Sequence, residues 1–205
     1  MKTLLTSIVS LALALQASAA LIPFNLQGQA GSGLLSGNET GAVAGTPGSG
    51  GEIGAGITFD DVSKVLTINV GWGTSNGFTN LTGAISGAHI HGPAITPTPF
   101  TTTAGVVVNL QTNAVTTGYT SASFTTTTSA SAGTSSGSVT LDATREAQLM
   151  ASQLYINIHT ATNGGGEIRG NLVAVPEPSS VGLAALGLMG IASGSRMRRR
   201  KAKAA

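Results

Sequence analysis

Alternation of apolar and polar residues along most of the chain, glycine-rich turns between the alternating runs, and a single stretch with helical signals together predict an all-β protein. The expected architecture is an antiparallel, Greek-key-like β-sandwich with one short helix. A removable N-terminal signal peptide and a C-terminal hydrophobic segment flank it.

The elements follow in order. Lys2 supplies a positive start, Leu4 to Leu15 an apolar run, and Ala17-Ser18-Ala19 a small-residue cleavage site, so residues 1–19 are expected to be a secretory signal peptide cut after Ala19. The body, 20–174, begins with Phe24 and Leu26 alternating with Asn25 and Gln27. Residues 31–51 are rich in glycine and serine and read as a loop. Ile53, Ala55, Ile57 and Phe59 share one strand face, and Asp60-Asp61 makes a turn. Leu66, Ile68, Val70 and Trp72 then share the core face of the next strand.

Residues 73–80 read as loop, and Ala84 to His91 as a strand closed by Gly92-Pro93. Pro97 and Pro99 place a long connection before strands over Gly105–Leu110 and Tyr119–Thr127. Val139 and Leu141 face inward on the next strand, and Asp142 or Thr144 caps the short helix. Leu154, Ile156 and Ile158 alternate with Tyr155, Asn157 and His159. The final strand sets Ile168 and Leu172 against Glu167, Arg169 and Asn171. About eight or nine short strands result. The Thr/Ser-rich run 115–138 reads as solvent-facing strand surface, with a glycosylated or flexible segment as the alternative. Asn38-Glu39-Thr40 and Asn80-Leu81-Thr82 fit N-glycosylation sequons, idle in a bacterial source.

The C-terminus is a separate device. Pro176-Glu177-Pro178 breaks the chain, Val181 to Gly194 is an uncharged apolar run, and Arg196, Arg198, Arg199, Arg200, Lys201 and Lys203 follow. As a helix the run reaches about 21 Å, short of the ~30 Å hydrocarbon core. Its four glycines weaken it further. A transient membrane stop over 181–194, held by cytoplasmic positive charge, suits it better than a permanent anchor. This tail, 175–205, resembles the PEP-CTERM sorting signal of Gram-negative bacteria. The resemblance implies cleavage by the membrane protease exosortase near Pro176-Glu177-Pro178. It also implies export through the inner membrane to the medium or the cell surface, with signal peptidase and exosortase as processing partners.

Removing both ends reverses the charge. Only Lys64, Arg145 and Arg169 remain against eight acidic residues, a net charge of −5 over about 158 residues. No basic patch survives to neutralise phosphates, which excludes nucleic-acid binding. The chain has no cysteine, so stability must come from core packing despite export. The glycine runs at 48–51 and 164–166 lack the strand–helix setting and the Lys-Ser/Thr of a phosphate loop, and there is no cysteine nucleophile.

All three histidines lie in two distinctive segments, Ala88-His89-Ile90-His91-Gly92-Pro93-Ala94 and Leu154-Tyr155-Ile156-Asn157-Ile158-His159-Thr160-Ala161. On a strand His89 and His91 point the same way, about 6.6 Å apart. With His159 on a neighbouring strand, three nitrogens can converge on one zinc or copper ion. Glu167 can then accept a hydrogen bond from a ligand ring. The alternative is that these polar residues tie strands and loops together by hydrogen bonds, with Glu167 and Arg169 adding charge-assisted ones. Tyr155 and Trp72 read as packing residues.

The two segments, with Gly165-Gly166-Glu167-Ile168-Arg169-Gly170-Asn171-Leu172, resemble the CHRD domain, named after repeats in chordin and found in many bacterial secreted proteins. The likeness spans about 24–173, although a Glu-Val-Pro-Pro stretch expected near the start is replaced by the glycine-rich 31–51. It implies a β-sandwich and no general enzymatic activity. The H-x-H strand is similar to that of the copper-zinc superoxide dismutases, but those sites need more histidines and an aspartate ligand. The expected function is therefore an exported structural or binding component of the cell surface or extracellular matrix, with polysaccharide or matrix protein as partner. The alternative is a secreted zinc or copper enzyme using His89, His91 and His159.

Overall fold

The strand Val65–Trp72 shows why this chain forms sheet. Leu66, Ile68, Val70 and Trp72 are fully buried, while Val65, Thr67 and Asn69 between them stay partly exposed. A period of two puts every second side chain on one face, and burying that face drives the fold.

The computed structural model describes residues 20–40, 47–95 and 98–176. The strands are β1 (Leu21–Gly28), β2 (Gly31–Ser32), β3 (Leu34–Leu35), β4 (Ser49–Glu52), β5 (Ile57–Asp60) and β6 (Val65–Trp72), then β7 (Ile85–His91), β8 (Val106–Asn109), β9 (Tyr119–Thr128) and β10 (Gly133–Leu141), and finally β11 (Tyr155–Thr160) and β12 (Ile168–Ala174). The helix α1 (Ala143–Met150) precedes β11. Every strand pairing is antiparallel.

The ladder has two halves. In the first, β9, β10 and β6 lie side by side, and β5 and β4 share the far edge of β6. In the second, β8, β7, β11 and β12 lie side by side, and β1 and β3 share the far edge of β12. The halves join twice. β1 pairs with β5 through Leu21–Phe24 and with β12 through Phe24–Gln27. The hairpin of β3 and β4 closes the second joint. The chain passes from one half to the other after β6, after β8 and after β10, the crossings of a Greek-key sandwich. Leu66, Ile68, Val70, Trp72 and Val139 of the first half meet Ile90, Ile156, Ile158 and Leu172 of the second in one apolar cluster.

Two local expectations change. The segment 31–51 contributes three short strands rather than a loop, and Leu34 is fully buried in the core. Gly50 serves close approach: a Cβ there would stand 2.5 Å from the Gly71 carbonyl oxygen. The run Ile53–Phe59 is not one strand either. Gly54 and Gly56 take left-handed φ values of 55° and 69°, which turns the chain and leaves Ala55 exposed, so only Ile57 and Phe59 reach the core.

Asp142 caps α1, its carboxylate accepting from the Arg145 amide at 2.8 Å. Asn38 of the first sequon is buried at 1% exposure, with its side chain spent on Ala30, Gly31 and Gly33, so it is closed to glycosylation. Among the described residues no helix is long and apolar enough to cross a membrane. The expected signal peptide, Glu177, Pro178 and the expected membrane stop 181–194 lie outside the described residues.

Candidate metal centre

The antiparallel register of β7 and β11 assembles the histidines. Tyr155 faces His91, Asn157 faces His89, and His159 faces Gly87. Because Ala88, Ile90, Ile156 and Ile158 take the inner face, the alternate positions all project from the outer face. Gly87 leaves the room the rings need: a Cβ there would stand 2.6 Å from His89 Cε1 and 3.4 Å from His159 Cδ2.

One ring nitrogen from each of His89, His91 and His159 lies within 4.8 Å of the others. His91 Nε2 and His159 Nε2 are 3.3 Å apart. The opposite nitrogens are tied down: His91 Nδ1 meets the Ala104 carbonyl at 2.9 Å and His159 Nδ1 the Gly164 carbonyl at 3.0 Å. A carbonyl only accepts, so each Nδ1 carries the hydrogen and each Nε2 of a neutral ring is a bare lone pair. Burial, and after it His159, lowers His89 to about 4. His91 is likewise lowered to about 4, chiefly by burial and against the Ala104 hydrogen bond. Both rings are therefore neutral at pH 7, the form that ligates metal.

A polar layer surrounds the cluster. The His91 ring stacks on Tyr155 at 5.0 Å and 9°, and the Arg169 guanidinium lies 3.6 Å over the other ring of that stack. Arg169 is fully buried, with Nη2 donating to the Pro99 and Thr102 carbonyls at 2.6 and 3.0 Å. Asn171 donates to Pro99 and Ser152, and the Tyr155 hydroxyl meets Ala104. These contacts hold the connection between β7 and β8 as a cap over the outer face. Burial lowers the pKa of Arg169 and raises that of Tyr155. Asn157 donates to Glu39 at 2.7 Å, which ties the segment after β3 to the same layer.

Glu167 does not serve the histidines. Its buried carboxylate accepts from the Thr82 amide and hydroxyl, the Thr160 hydroxyl and the Asn163 amide, at 2.6–3.0 Å. It fixes the turn after β11 instead. The carbonyls of Ala104 and Gly164 take the hydrogen bonds from the rings instead, and no side-chain pattern could have named them. Gly87 and Glu39 were also missed; the glycine between Ser86 and Ala88 carried no distinctive signal. Trp72 is core packing, and Tyr155 packs against the histidine cluster rather than the core.

Fold and site together define a capped antiparallel β-sandwich that carries an exterior cluster of three histidines. The CHRD domain model matches residues 32–172, and the chain belongs to the CHRD domain family. A PEP-CTERM protein-sorting motif matches 174–200 and marks an exosortase-sorted protein, exported through the membrane to the surface of a Gram-negative bacterium. No curated protein and no solved structure matches the chain.

Proposed function

We propose that the mature protein is a non-catalytic structural or binding component of the cell surface or extracellular matrix, engaging a polysaccharide or a matrix protein. The observation that carries this reading is the junction between domain and address. β12 ends at Ala174, the last hydrogen bond of the body runs from the Val175 amide to the Pro23 carbonyl at 2.9 Å, and the next residue, Pro176, is exposed. A protease acting there removes the address without unpicking the sheet. Removal leaves an acidic body whose outer β9–β10 face is rich in hydroxyls. Ser123, Thr125 and Thr127 are exposed, and Thr127 and Thr134 bond across the strands at 2.7 Å. Uncharged hydroxyl rows suit a carbohydrate or a flat protein partner. Three converging imidazoles favour a second reading, a secreted zinc or copper enzyme using His89, His91 and His159.

Mass spectrometry of the protein from its exporting host tests the processing. A chain beginning at Ala20 and ending near Pro176–Pro178 is expected. A full-length chain in the cytoplasm, still carrying Arg196 to Lys203, would refute it. Retention of the processed protein on the host's exopolysaccharide, or matrix lost on gene deletion, supports the binding role. Turnover of an extracellular substrate that disappears in His89→Ala supports the enzyme instead.

A further inference from the structure

We propose that His89, His91 and His159 form a three-imidazole site for one zinc- or copper-class ion, with a fourth coordination position open to solvent. The inference stands apart from the export reading, since it uses only the geometry of the folded domain.

The first observation is a spacing. Two ligands about 2.0–2.1 Å from a common ion at a tetrahedral angle lie about 3.3–3.4 Å apart. His91 Nε2 and His159 Nε2 are 3.3 Å apart. Because both Nδ1 atoms donate to carbonyls, these two nitrogens face each other as lone pairs, with no hydrogen between them in the neutral rings. Facing lone pairs repel, and a cation between them turns that repulsion into two bonds.

The second observation is the support. Each of these rings is fixed through its far nitrogen by a backbone carbonyl, the arrangement that orients metal-bound histidines and raises their basicity. The Tyr155 ring, held by Arg169, backs His91 from behind. Such preorganisation exceeds what a sheet needs to bury one histidine.

The third observation is His89. Its Nδ1 is buried without a hydrogen-bond partner among the described residues. An unpaired buried polar atom is costly and needs a reason. Its ring also lies over Gly87, where a Cβ would stand 2.6 Å from Cε1. One nitrogen of this ring lies within 4.8 Å of those of the other two. His89 and His159 are only partly buried, so the outer side of the cluster is reachable by ion, water or a small ligand. Three neutral imidazoles with an open position select zinc or copper over magnesium or calcium, which demand oxygen ligands.

The test titrates the protein recovered after export, stripped with chelator, with ZnCl2, CuCl2 and MgCl2 by calorimetry, with thermal melting in parallel. Binding of one equivalent of zinc or copper, none of magnesium, and a raised Tm are expected. His91→Ala and His159→Gln should each lower affinity at least about 100-fold, and Gly87→Ala, which changes no ligand but displaces the His89 ring, about 10-fold. Should the histidine variants fail to fold, cobalt(II) substitution in the unaltered protein decides. Intense visible bands of tetrahedral cobalt are expected, and the weak spectrum of hydrated cobalt would overturn the proposal. So would the absence of a stoichiometric site, or zinc and copper affinity that survives in a folded His91→Ala, His159→Gln double variant.

Discussion

The two halves of the sandwich share one inner face and differ entirely on the outer one. Outside β9 and β10, serines and threonines meet water. Outside β7, β11 and β12, His91, Asn157, Arg169 and Asn171 are buried under loops, beside the partly exposed His89 and His159. The inner faces follow from apolar alternation and would form in many sequences. The outer face of the second half has to be satisfied bond by bond, because a buried polar group without partners is costly. Packing alone does not account for such a layer, which sets the proposed metal site of the second half apart from the hydroxyl-rich face of the first.

The sharpest way to break this contrast is at Arg169. Truncation to alanine removes a fully buried cation, its bonds to the Pro99 and Thr102 carbonyls, and the support of Tyr155. A loss of about 3–5 kcal/mol is expected in urea unfolding. Thr127→Ala, on the exposed face of β9, should change stability by less than about 0.5 kcal/mol. Equal costs at the two sites would mean that the polar layer does not distinguish the halves.

Sequence alone had reached much of this but stopped at the same boundary. The core faces of β6, β10, β11 and β12 were legible because period two needs no knowledge of partners. The convergence of His89, His91 and His159 was legible only conditionally, since it required β7 and β11 to be neighbours. The burial of Asn157, Arg169 and Asn171 was not legible. Their alternation reads as a solvent face, and only the capping loops, whose backbone carbonyls carry no sequence signature, turn it inward. The segment 31–51 misled for a related reason: Gly33 and Gly50, which suggest a loop, are there to let backbones approach.

Acid and alkali separate the halves by a different measure. In chelated protein His89 and His91 titrate near 4 when folded and near 6.5 when unfolded. Between those values the unfolded chain binds more protons, so stability is complete above about pH 6.5 and declines as pH falls toward 4. Tyr119, in the first half, is raised to about 12 by burial, with Arg145 opposing and Asp142 adding to the shift. Its folded pKa lies above its unfolded 10, so its contribution is complete below about pH 10 and is lost as pH climbs through 12. His91→Gln should flatten the acid limb alone, and Tyr119→Phe the alkaline limb alone. The Tyr119 hydroxyl is buried without a partner, so its removal should cost little at neutral pH. A single variant that flattened both limbs would show that the halves titrate as one unit.

The smallest effect concerns how the plainer half protects itself. Among the described residues β9 pairs with β10 alone, and its other edge is a template for a second chain. Asn113 blocks it. Its side-chain oxygen accepts from the Phe124 amide at 2.6 Å and its amide donates to the Phe124 carbonyl at 3.3 Å, which copies the bonds of a neighbouring strand. Asn113 holds φ at 60°, a conformation asparagine tolerates better than alanine. Asn113→Ala therefore loses both the bonds and the fit, about 1–2 kcal/mol in thermal unfolding, whereas Asn113→Gly restores the fit and should cost about 1 kcal/mol or less. Both variants uncover the edge equally, so both should show more self-association in sedimentation. Association confined to the alanine variant would mean that backbone strain, and not the lost side-chain cap, opens this half of the molecule.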